Sequence, residues 1–373
     1  MRKCLWRSKT EDMYIKDISL SNFRNIAVAK TCLDKGVNII YGPNANGKTN
    51  FLESIYICST GRSHRTKNDR ELVRFGENEA HIRVNIQNES SSDRIDAHIR
   101  SKDRKGIAVN GIPLKKSSEL FGTLYTVIFS PEDLSLIKDS PSQRRRFIDI
   151  ELCQLSRVYC HSLQQYMKVL KQRNNLLKNI QKDHRLKDTL FVWDKQLVEF
   201  GTKIIQFREK FVADLSEKAS LRHRQISSSM EELSIIYMPS SEGSSFEEKL
   251  LSSVERDIFM GSTSHGPHRD DAVFNINGND VRIYGSQGQQ RTAAVSAKLA
   301  EIDIINEEAG IKPVLLLDDV LSELDKKRQH MLMDCISEIQ TIITCTGIED
   351  AVMSYAGRAA VFNVDNGVIK REK

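Results

Sequence analysis

The chain has 373 residues, of which 39% are hydrophobic and 28% charged, and its formal net charge is +5. This length and composition are typical of about two folded domains and exclude a disordered or fibrous chain. No apolar run approaches the roughly 20 residues that a membrane-spanning helix needs, so we expect no membrane partner.

The N-terminus and the cysteines indicate the compartment. Residues 1–12 are polar and charged, so we expect a loose N-terminal extension rather than a secretory signal, with Met13 as the functional start. Seven cysteines are scattered without any Cys-x-x-Cys pair. This pattern favours reduced thiols in the cytoplasm and argues against a structural zinc site.

Residues 13–140 show mostly strand patterns. A strand-like segment covers residues 14–20, and the apolar run 37–41 predicts a buried strand. Apolar and polar residues alternate over 82–86 and 95–99, and Asn110-Gly111 is a hairpin-turn signal because both positions favour positive φ. A further short apolar strand is predicted at residues 126–129.

Helical periodicity dominates after Pro141. Apolar residues three and four apart over 152–170 and 190–215 predict two long amphipathic helices that form an antiparallel hairpin. Strand signals return at 271–276, a helix is predicted from Gln289 to Asn306, and apolar strands follow near 314–317, 342–346 and 360–364. We therefore predict an α/β fold in two discontinuous parts, 13–140 and 261–373, with a helical lobe at 141–260.

The strongest motif follows the buried strand 37–41. Gly42-Pro43-Asn44-Ala45-Asn46-Gly47-Lys48-Thr49 fits the phosphate-loop pattern G-x-x-x-x-G-K-[ST], and a helical pattern continues after it. Its backbone N–H groups and the helix N-terminus form an anion site. We expect Lys48 to reach the β- and γ-phosphates of ATP and the Thr49 hydroxyl to ligate Mg²⁺, with Asn50 also at the ATP site.

A pair of carboxylates ends the apolar strand 314–317. Because buried parallel strands deliver their C-terminal residues to the ligand-binding edge of an α/β sheet, Asp318 is placed to hold Mg²⁺. Asp319 is placed to polarise the attacking water as general base. An acidic pair can equally cap the next helix, but the upstream phosphate loop favours the catalytic interpretation.

A small, polar helix start precedes the carboxylates by some thirty residues. Ser286, Gly288 and Gln289 lie where hydroxyl, backbone N–H groups and helix dipole converge on an anion. Alone, this segment is better explained as an ordinary capped helix. Its position between phosphate loop and acidic strand resembles the ABC-type ATPases, in which such a signature contacts the γ-phosphate held by the opposite subunit. Ser322 and Asp325 then occupy the place of that class's dimer-contacting D-loop.

Within that class the chain resembles the RecF family of bacterial recombination mediators. The resemblance runs from Met13 nearly to the C-terminus, and its further blocks are residues 18–25, 61–66, 129–134, 144–147, 266–271, 286–291 and 317–325. It implies an SMC-type ATPase head with a helical lobe and no long coiled coil. It also implies an ATP-dependent homodimer that binds duplex DNA beside single-strand gaps, hydrolyses ATP slowly and acts with RecR and RecO in recombinational repair.

Two features depart from the wider ABC-type pattern. Thr344-Cys345-Thr346 stands where a histidine sensor is usual, so we expect γ-phosphate sensing that is weaker or differently built. The second acid is Asp319 rather than the commoner glutamate, and the glutamine that usually links the metal to the helical lobe is not identifiable. Each departure is compatible with slow turnover.

Three further groups of residues each have two possible roles. Arg62 and Arg65 either contact the adenine or phosphates of ATP, or belong to a solvated basic loop. Arg144, Arg145 and Arg146 are either a DNA-backbone patch or solvated helix charge. His265 and His268 have the spacing of a metal pair, but with no third ligand near them a hydrogen-bonding role is favoured.

Two other functions fit the phosphate loop. A transporter ATPase subunit would need a surface for a transmembrane partner, and a small-molecule kinase would leave the segment 286–290 and the D-loop unexplained. Another SMC-like DNA-organising ATPase is the remaining alternative.

Overall fold

The computed structural model describes residues 11–89, 91–227, 231–241, 245–323, 325–336, 338–347 and 359–372. Within these residues the strands are β1 (Glu11–Asp12), β2 (Tyr14–Phe23), β3 (Ile26–Cys32), β4 (Val37–Tyr41), β5 (Glu79–Gln87), β6 (Ser92–Arg100), β7 (Gly106–Val109), β8 (Ile112–Pro113), β9 (Thr126–Phe129), β10 (Leu233–Met238), β11 (Asp271–Ile276), β12 (Asn279–Asp280), β13 (Ile311–Lys312), β14 (Val314–Asp318), β15 (Thr341–Cys345), β16 (Ala360–Asp365) and β17 (Val368–Arg371). The helices are α1 (Lys48–Thr60), α2 (Ser135–Lys138), α3 (Pro141–Leu155), α4 (Arg157–Ile180), α5 (Leu190–Ser227), α6 (Phe246–Ser252), α7 (Val254–Met260), α8 (Val281–Tyr284), α9 (Gln287–Ala309) and α10 (Lys326–Cys335).

The chain divides into two compact units, one made of residues 1–133 and 301–373 and the other of residues 134–300. The predicted helical lobe, 141–260, lies inside the second unit, which also includes 134–140 and 261–300. The division of function between head and lobe stays a prediction.

The first unit contains a six-stranded sheet in the order β17-β16-β4-β15-β14-β9. Its strands are parallel except β17, which pairs antiparallel with β16 at the edge. Every residue of the central strands β14 and β15 is buried, and so is every residue of the edge strand β9, as expected of a parallel sheet covered on both faces. The carboxyl ends of β4, β14 and β15 therefore meet at one edge, where the phosphate loop and the two aspartates were predicted to lie.

A second, antiparallel sheet in the same unit has the order β3-β2-β5-β6-β7-β8. Its strands alternate: Ala80, Ile82 and Val84 on β5 are buried, while the residues between them point to solvent. The predicted hairpin at Asn110-Gly111 is confirmed, since both residues have positive φ, 53° and 80°, between β7 and β8.

Helix α1 contacts strands of both sheets. It is buried almost all round, because 11 of its 13 residues have little exposure, which is the pattern of a helix inside a core. Gly47 at φ 108° begins the helix, and Gly61 at φ 71° ends it with its N–H donating to Ile57 O at 2.8 Å. The two sheets thus hold α1, and with it the phosphate loop, in place.

The second unit is built on the packed pair α4 and α5, whose link at 181–189 includes one 3₁₀ turn, and a small sheet β10-β11-β12. The predicted helical hairpin is confirmed, but its first helix, α4, begins later and ends later than the apolar pattern 152–170 suggested. The stripe 152–170 spans both α3 and α4, because the extended residue Ser156 separates them and caps α4 by accepting from Tyr159 N at 3.2 Å.

Two expectations concern the N-terminus and the membrane. Residues 1–10 lie outside the described residues, but Glu11 and Asp12, assigned to a loose extension, instead pair in parallel with Ile311 and Lys312. Among the described helices none is both long enough and apolar enough to cross a bilayer.

Candidate functional site

The phosphate loop lies between the end of β4 and the start of α1, as its sequence context predicts. Pro43, Asn44 and Ala45 form its exposed crest, and Gly47 and Lys48 are buried at its base. Ala45 has φ 65°, a strained value for a residue with a Cβ.

Lys48 folds back into the loop. Its Nζ donates to Gly42 O at 2.6 Å and to Pro43 O at 2.9 Å, and only 7% of the residue is exposed. A Cβ at Gly42 would lie 2.2 Å from Val364 O, so the loop needs glycine there. The ammonium is therefore held at the centre of the curl of backbone that the motif predicts.

Asparagines outside the motif brace the loop. Asn25 Nδ2 donates to Ala45 O at 3.1 Å, and Asn50 Nδ2 donates to Asn25 Oδ1 at 2.8 Å. On the other side Asn46 Nδ2 donates to Asp365 Oδ1 at 3.3 Å. Asn25 was not identified as a site residue, because its role depends on the turn between β2 and β3 meeting the loop.

The two predicted metal ligands meet although 269 residues separate them. Thr49 Oγ1 donates to Asp318 Oδ1 at 2.9 Å, and Thr344 Oγ1 donates to the same oxygen at 2.8 Å. Burial raises the pKa of the Asp318 carboxyl, against the opposing effect of these two hydrogen bonds and of the Arg65 charge. A buried carboxylate of this kind is stabilised by a cation, so the hydroxyl and carboxylate oxygens form a donor set suited to Mg²⁺.

Asp319 has a backbone conformation that few non-glycine residues adopt, with φ 53°. Its N–H donates to Thr344 Oγ1 at 3.1 Å and to Thr344 O at 3.2 Å. Its Oδ1 is shielded from solvent and has no hydrogen-bond partner among the described residues. An unsatisfied buried carboxylate oxygen has a high cost, so this atom is suited to accept a hydrogen bond from a bound water or ligand.

Thr344 was regarded only as a departure from a histidine sensor. The structure places it directly opposite Asp318 in the β14–β15 register, where one hydroxyl serves both aspartates. The signal that identifies it is this pairing of neighbouring strands, which no local sequence pattern contains.

A buried glutamate fixes the loop after α1. Glu53 is fully buried and accepts from Arg24 Nε at 2.9 Å, Arg24 Nη2 at 2.8 Å and Ser63 Oγ at 2.5 Å. Burial opposes ionisation, but these hydrogen bonds and the charges of Arg24 and Arg65 outweigh it and lower the Glu53 pKa. Arg65 Nη1 donates to Asn50 Oδ1 at 2.9 Å, so Arg65 is tied to the helix that carries the phosphate loop.

Arg62 is exposed on the same loop, and its contact with nucleotide stays a prediction. Beside the loop lies an open groove of about 830 Å³ that includes Asn25, Asn50 and Arg65. Its lining has five basic and two acidic side chains, Arg24, Arg65, Arg70, Arg74 and Lys102 against Glu71 and Glu77. The groove suits an anionic ligand.

The predicted signature begins α9 in the second unit. Ser286 is exposed; its Oγ accepts from Gln289 N at 3.2 Å, and Gln289 Oε1 accepts from Ser286 N at 2.8 Å. This is a capping box, so within a single subunit the segment is an ordinary capped helix start. Its contact with the nucleotide of a second subunit stays a prediction. Space around Gly288 is open, with Ser286 Oγ at 3.9 Å the nearest atom to a Cβ built there.

The D-loop candidates follow the aspartates in the first unit. Ser322 Oγ donates to Asp319 O at 2.7 Å, and Asp325 caps α10 by accepting from Arg328 N at 3.0 Å. Ser322 and Asp325 are both exposed. Their contact with a second subunit stays a prediction.

The proposed DNA patch of Arg144, Arg145 and Arg146 is wrong at its first residue. Arg144 is only 4% exposed and forms a two-point ion pair with Asp271, at 2.7 and 3.0 Å. Arg145 Nη1 donates to Asp270 O at 2.6 Å, and burial lowers the pKa of Arg145. These side chains hold α3 against the turn before β11, so a run of three arginines on one helix does not form a common surface.

His265 and His268 have the hydrogen-bonding roles that were favoured. His265 Nδ1 lies 3.0 Å from Ser240 O, and His268 contacts Tyr166 Oη at 2.7 Å and Thr263 O at 3.1 Å. Thr263 O only accepts, so His268 Nε2 carries the proton and Nδ1 accepts from Tyr166. Burial lowers the pKa of His268 to about 4, and the ring stays neutral at pH 7.

Comparison with known proteins gives the fold and the family. Residues 14–370 match the family described as RecF/RecN/SMC N terminal domain. The chain is 51% identical over 359 residues to the DNA replication and repair protein RecF of Lachnoclostridium phytofermentans, covering 96% of this chain and 100% of that protein.

Solved structures agree. The structure of the recombination mediator protein RecF-ATP in the RecFOR pathway superposes with TM-score 0.88 at 38% identity, covering 97% of this chain and 99% of that one. The Smc head domain of Pyrococcus furiosus, with an extended coiled coil, superposes with TM-score 0.58 at 17% identity over 96% of each chain, which is a likeness of fold alone. The predicted ABC/SMC-type ATPase head is confirmed.

Proposed function

Because this chain belongs to the RecF family, within the wider group of RecF, RecN and SMC N-terminal domains, we propose that it is an ATP-dependent DNA-binding protein of replication and recombinational repair. Mg-ATP joins two copies of the chain into a clamp on duplex DNA near single-strand gaps. Slow, DNA-stimulated hydrolysis then releases the clamp.

One observation carries the proposal. The phosphate-loop hydroxyl of Thr49 and the carboxylate of Asp318 meet at 2.9 Å. Asp319 is next in the chain, and its Oδ1 has no hydrogen-bond partner in the part of the chain that the structure describes. A phosphate loop alone occurs in many enzymes, whereas this convergence with two strand-end acids is typical of nucleotide hydrolysis. The similar RecF-ATP structure supports ATP as the nucleotide.

The residues divide the work in this proposal. The backbone of 42–49 and the Lys48 ammonium bind the β- and γ-phosphates, and Thr49 and Asp318 hold Mg²⁺. When bound, Mg²⁺ neutralises charge on the phosphate oxygens. Asp319 orients the attacking water and takes its proton, with Thr344 fixing the direction of both aspartates.

The signature of one copy completes the site of the other. Ser286 is exposed and the space around Gly288 is open, so an anion presented from outside can reach the N-terminus of α9. Each ATP then contacts two subunits, and it favours the dimer by the affinity that these added contacts supply.

The partners follow from the relatives. The similar RecF-ATP structure is that of a mediator in the RecFOR pathway, which supports RecO and RecR as partners. The described cysteines, Cys32, Cys58, Cys153, Cys160 and Cys345, are free thiols, which supports a reducing, cytoplasmic location.

Three variants test the clamp in one assay of ATP binding, mass in solution and retention on a gapped duplex. Lys48→Ala loses ATP binding and DNA retention. Ser286→Arg binds ATP but stays a monomer, because the long cation blocks the exposed helix start. Asp319→Asn binds ATP, dimerises and stays on DNA longer because hydrolysis is slow.

The rate of ATP hydrolysis with and without duplex DNA separates this function from its rivals, since neither a transporter subunit nor a small-molecule kinase should respond to DNA. A nucleotide-saturated wild-type chain that remains monomeric on and off gapped DNA would refute the clamp.

A further inference from the structure

Two histidines lie side by side on the solvent face of the antiparallel sheet, away from the phosphate loop in sequence. His81 on β5 is the register partner of His98 on β6. Their rings stack with centroids 4.2 Å apart and planes 19° from parallel. Directly opposed residues on one face of an antiparallel pair are the closest side-chain neighbours that a sheet provides.

A carboxylate joins the pair from two residues earlier on β5. Glu79 shares the outer face with His81 because side chains alternate along a strand. One Glu79 oxygen lies 2.8 Å from His98 Nε2 and the other 3.5 Å from His81 Nε2. The three ligand atoms all lie within 4.8 Å of one another, and in the described part of the chain this is the one such group of three.

Two arginines close to Glu79 in the sheet register are paired with other carboxylates. Arg83, the next outward residue on β5, is paired with Asp96 at 2.6 Å. Arg100, the register partner of Glu79, is 3.4 Å from Asp103. The Glu79 carboxylate therefore contacts the two histidines rather than an arginine.

The surroundings also leave room. The row that contains the histidines continues to Gly106 on β7, opposite His98, where a Cβ would meet nothing within 4 Å. The side chains of Glu79 and His81 are about half exposed, and that of His98 is 31% exposed. An ion can therefore approach from solvent, and the rings can rotate by the small amounts that coordination needs.

We propose that Glu79, His81 and His98 form a binding site for a Zn²⁺ ion, separate from the Mg²⁺ site of the nucleotide. Two imidazoles and one carboxylate are the donor set of known three-ligand zinc sites, with bond lengths of about 2.0–2.2 Å and a fourth position open. Imidazole nitrogen prefers zinc, copper or nickel, whereas Mg²⁺ prefers oxygen ligands only. We therefore expect Zn²⁺ at the histidine site and Mg²⁺ at the oxygen ligands of the nucleotide site.

Binding replaces hydrogen bonds by metal–ligand bonds. The hydrogen bonds that now join Glu79 to the imidazoles give way to coordination at Nε2 of each ring, and any proton held there is released. The open position takes water or a ligand atom from another molecule. The Glu79 carboxylate neutralises one of the two positive charges of the ion, and binding needs no oxidant or reductant.

The test is metal titration of the full-length, metal-stripped chain in excess Mg²⁺, with a chromogenic chelator competing for Zn²⁺. We expect one tightly bound Zn²⁺ per chain. Glu79→Gln weakens binding by about 10-fold, and the double variant His81→Gln/His98→Gln by about 100-fold or more. The changed side chains lie on the solvent face of the sheet, two of them exposed and His98 half-buried, so all variants should fold.

Matched controls exclude other ligands. His161→Gln changes an exposed histidine on α4, and Cys32→Ser removes an exposed thiol; neither should alter Zn²⁺ affinity. Bound Co²⁺ should give visible d–d bands in the wild type that the double variant lacks. Absence of Zn²⁺ binding, equal affinity in the double variant, or a sulfur-to-cobalt charge-transfer band would each overturn the proposal.

Discussion

Replacing Thr344 by valine tests how the two strand-end aspartates are held. The change keeps the shape of the buried side chain but removes its hydroxyl. Asp318 Oδ1 loses the bond of 2.8 Å, and the Asp319 N–H loses its contact of 3.1 Å. Asp318 keeps Thr49 as a donor, so we expect the carboxylate to be held less firmly in its orientation rather than to move away from the site.

The magnitude follows from the kind of bond that is lost. A hydrogen bond to a charged group contributes about 1.5–3 kcal/mol. If this bond orients Asp318 for Mg²⁺, the Mg²⁺ concentration for half-maximal ATP hydrolysis should rise by about 10- to 100-fold, since about 1.4 kcal/mol is a factor of ten. Loss of the Asp319 contact should also lower turnover at saturating Mg²⁺.

The same strand offers a matched control. Thr341 is fully buried on β15, and among the described residues its Oγ1 bonds only a local carbonyl, Ile339 O at 3.0 Å. Thr341→Val therefore repeats the change of chemistry without touching the aspartates. Hydrolysis is measured against Mg²⁺ for both variants after circular dichroism has established that they fold. If the hydrolysis rate depends on Mg²⁺ concentration in the same way in both variants, the Thr344 hydroxyl has no role in holding Asp318 and Asp319.

Three predictions concern the second unit. Arg173→Ala should lower the free energy of unfolding by about 3–5 kcal/mol, measured by denaturant titration, because it leaves the buried Asp257 carboxylate without its cation; a loss below 1 kcal/mol would contradict this. His268 has a folded-state pKa of about 4, so the unfolded chain takes up its proton first as the pH falls below about 6.5. Between pH 7.5 and 5 the free energy of unfolding of the wild type should therefore fall by about 2 kcal/mol more than that of His268→Gln. The control variant His161→Gln should lose as much stability over this range as the wild type. Arg144→Ala should destabilise the fold yet leave the salt dependence of DNA binding unchanged, and a shallower salt slope would return this arginine to the DNA interface.

Local patterns predicted the central elements well. The strand before the phosphate loop, the apolar strand that ends in Asp318 and the hairpin at Asn110-Gly111 all depend on short-range chemistry, which a single sequence displays. The fully apolar run 314–317 predicted a buried parallel strand, and every residue of β14 is buried. The site at the edge of that sheet followed from the same argument.

Most of the errors came from contacts that cross the fold, and one came from a local break between two helices. Thr344 acts through the register of two strands 25 residues apart, and Asn25 through a turn that meets the phosphate loop. Arg144 belongs to a run of like charges, but helix geometry turns successive residues by about 100°, so one neighbour enters the core. Ser156 interrupts an apolar stripe that continues in phase on both sides, and the stripe alone cannot reveal the break.

The central position of α1 has a consequence for how the molecule opens. Helix α1 packs against both sheets of the first unit. Neither sheet can therefore separate from α1 without exposing apolar surface of the helix to water. Fluctuations that loosen one hairpin should therefore not reach the amides of α1. Those amides should exchange with deuterium only when the whole unit unfolds, so α1 should be among the slowest-exchanging segments of the first unit.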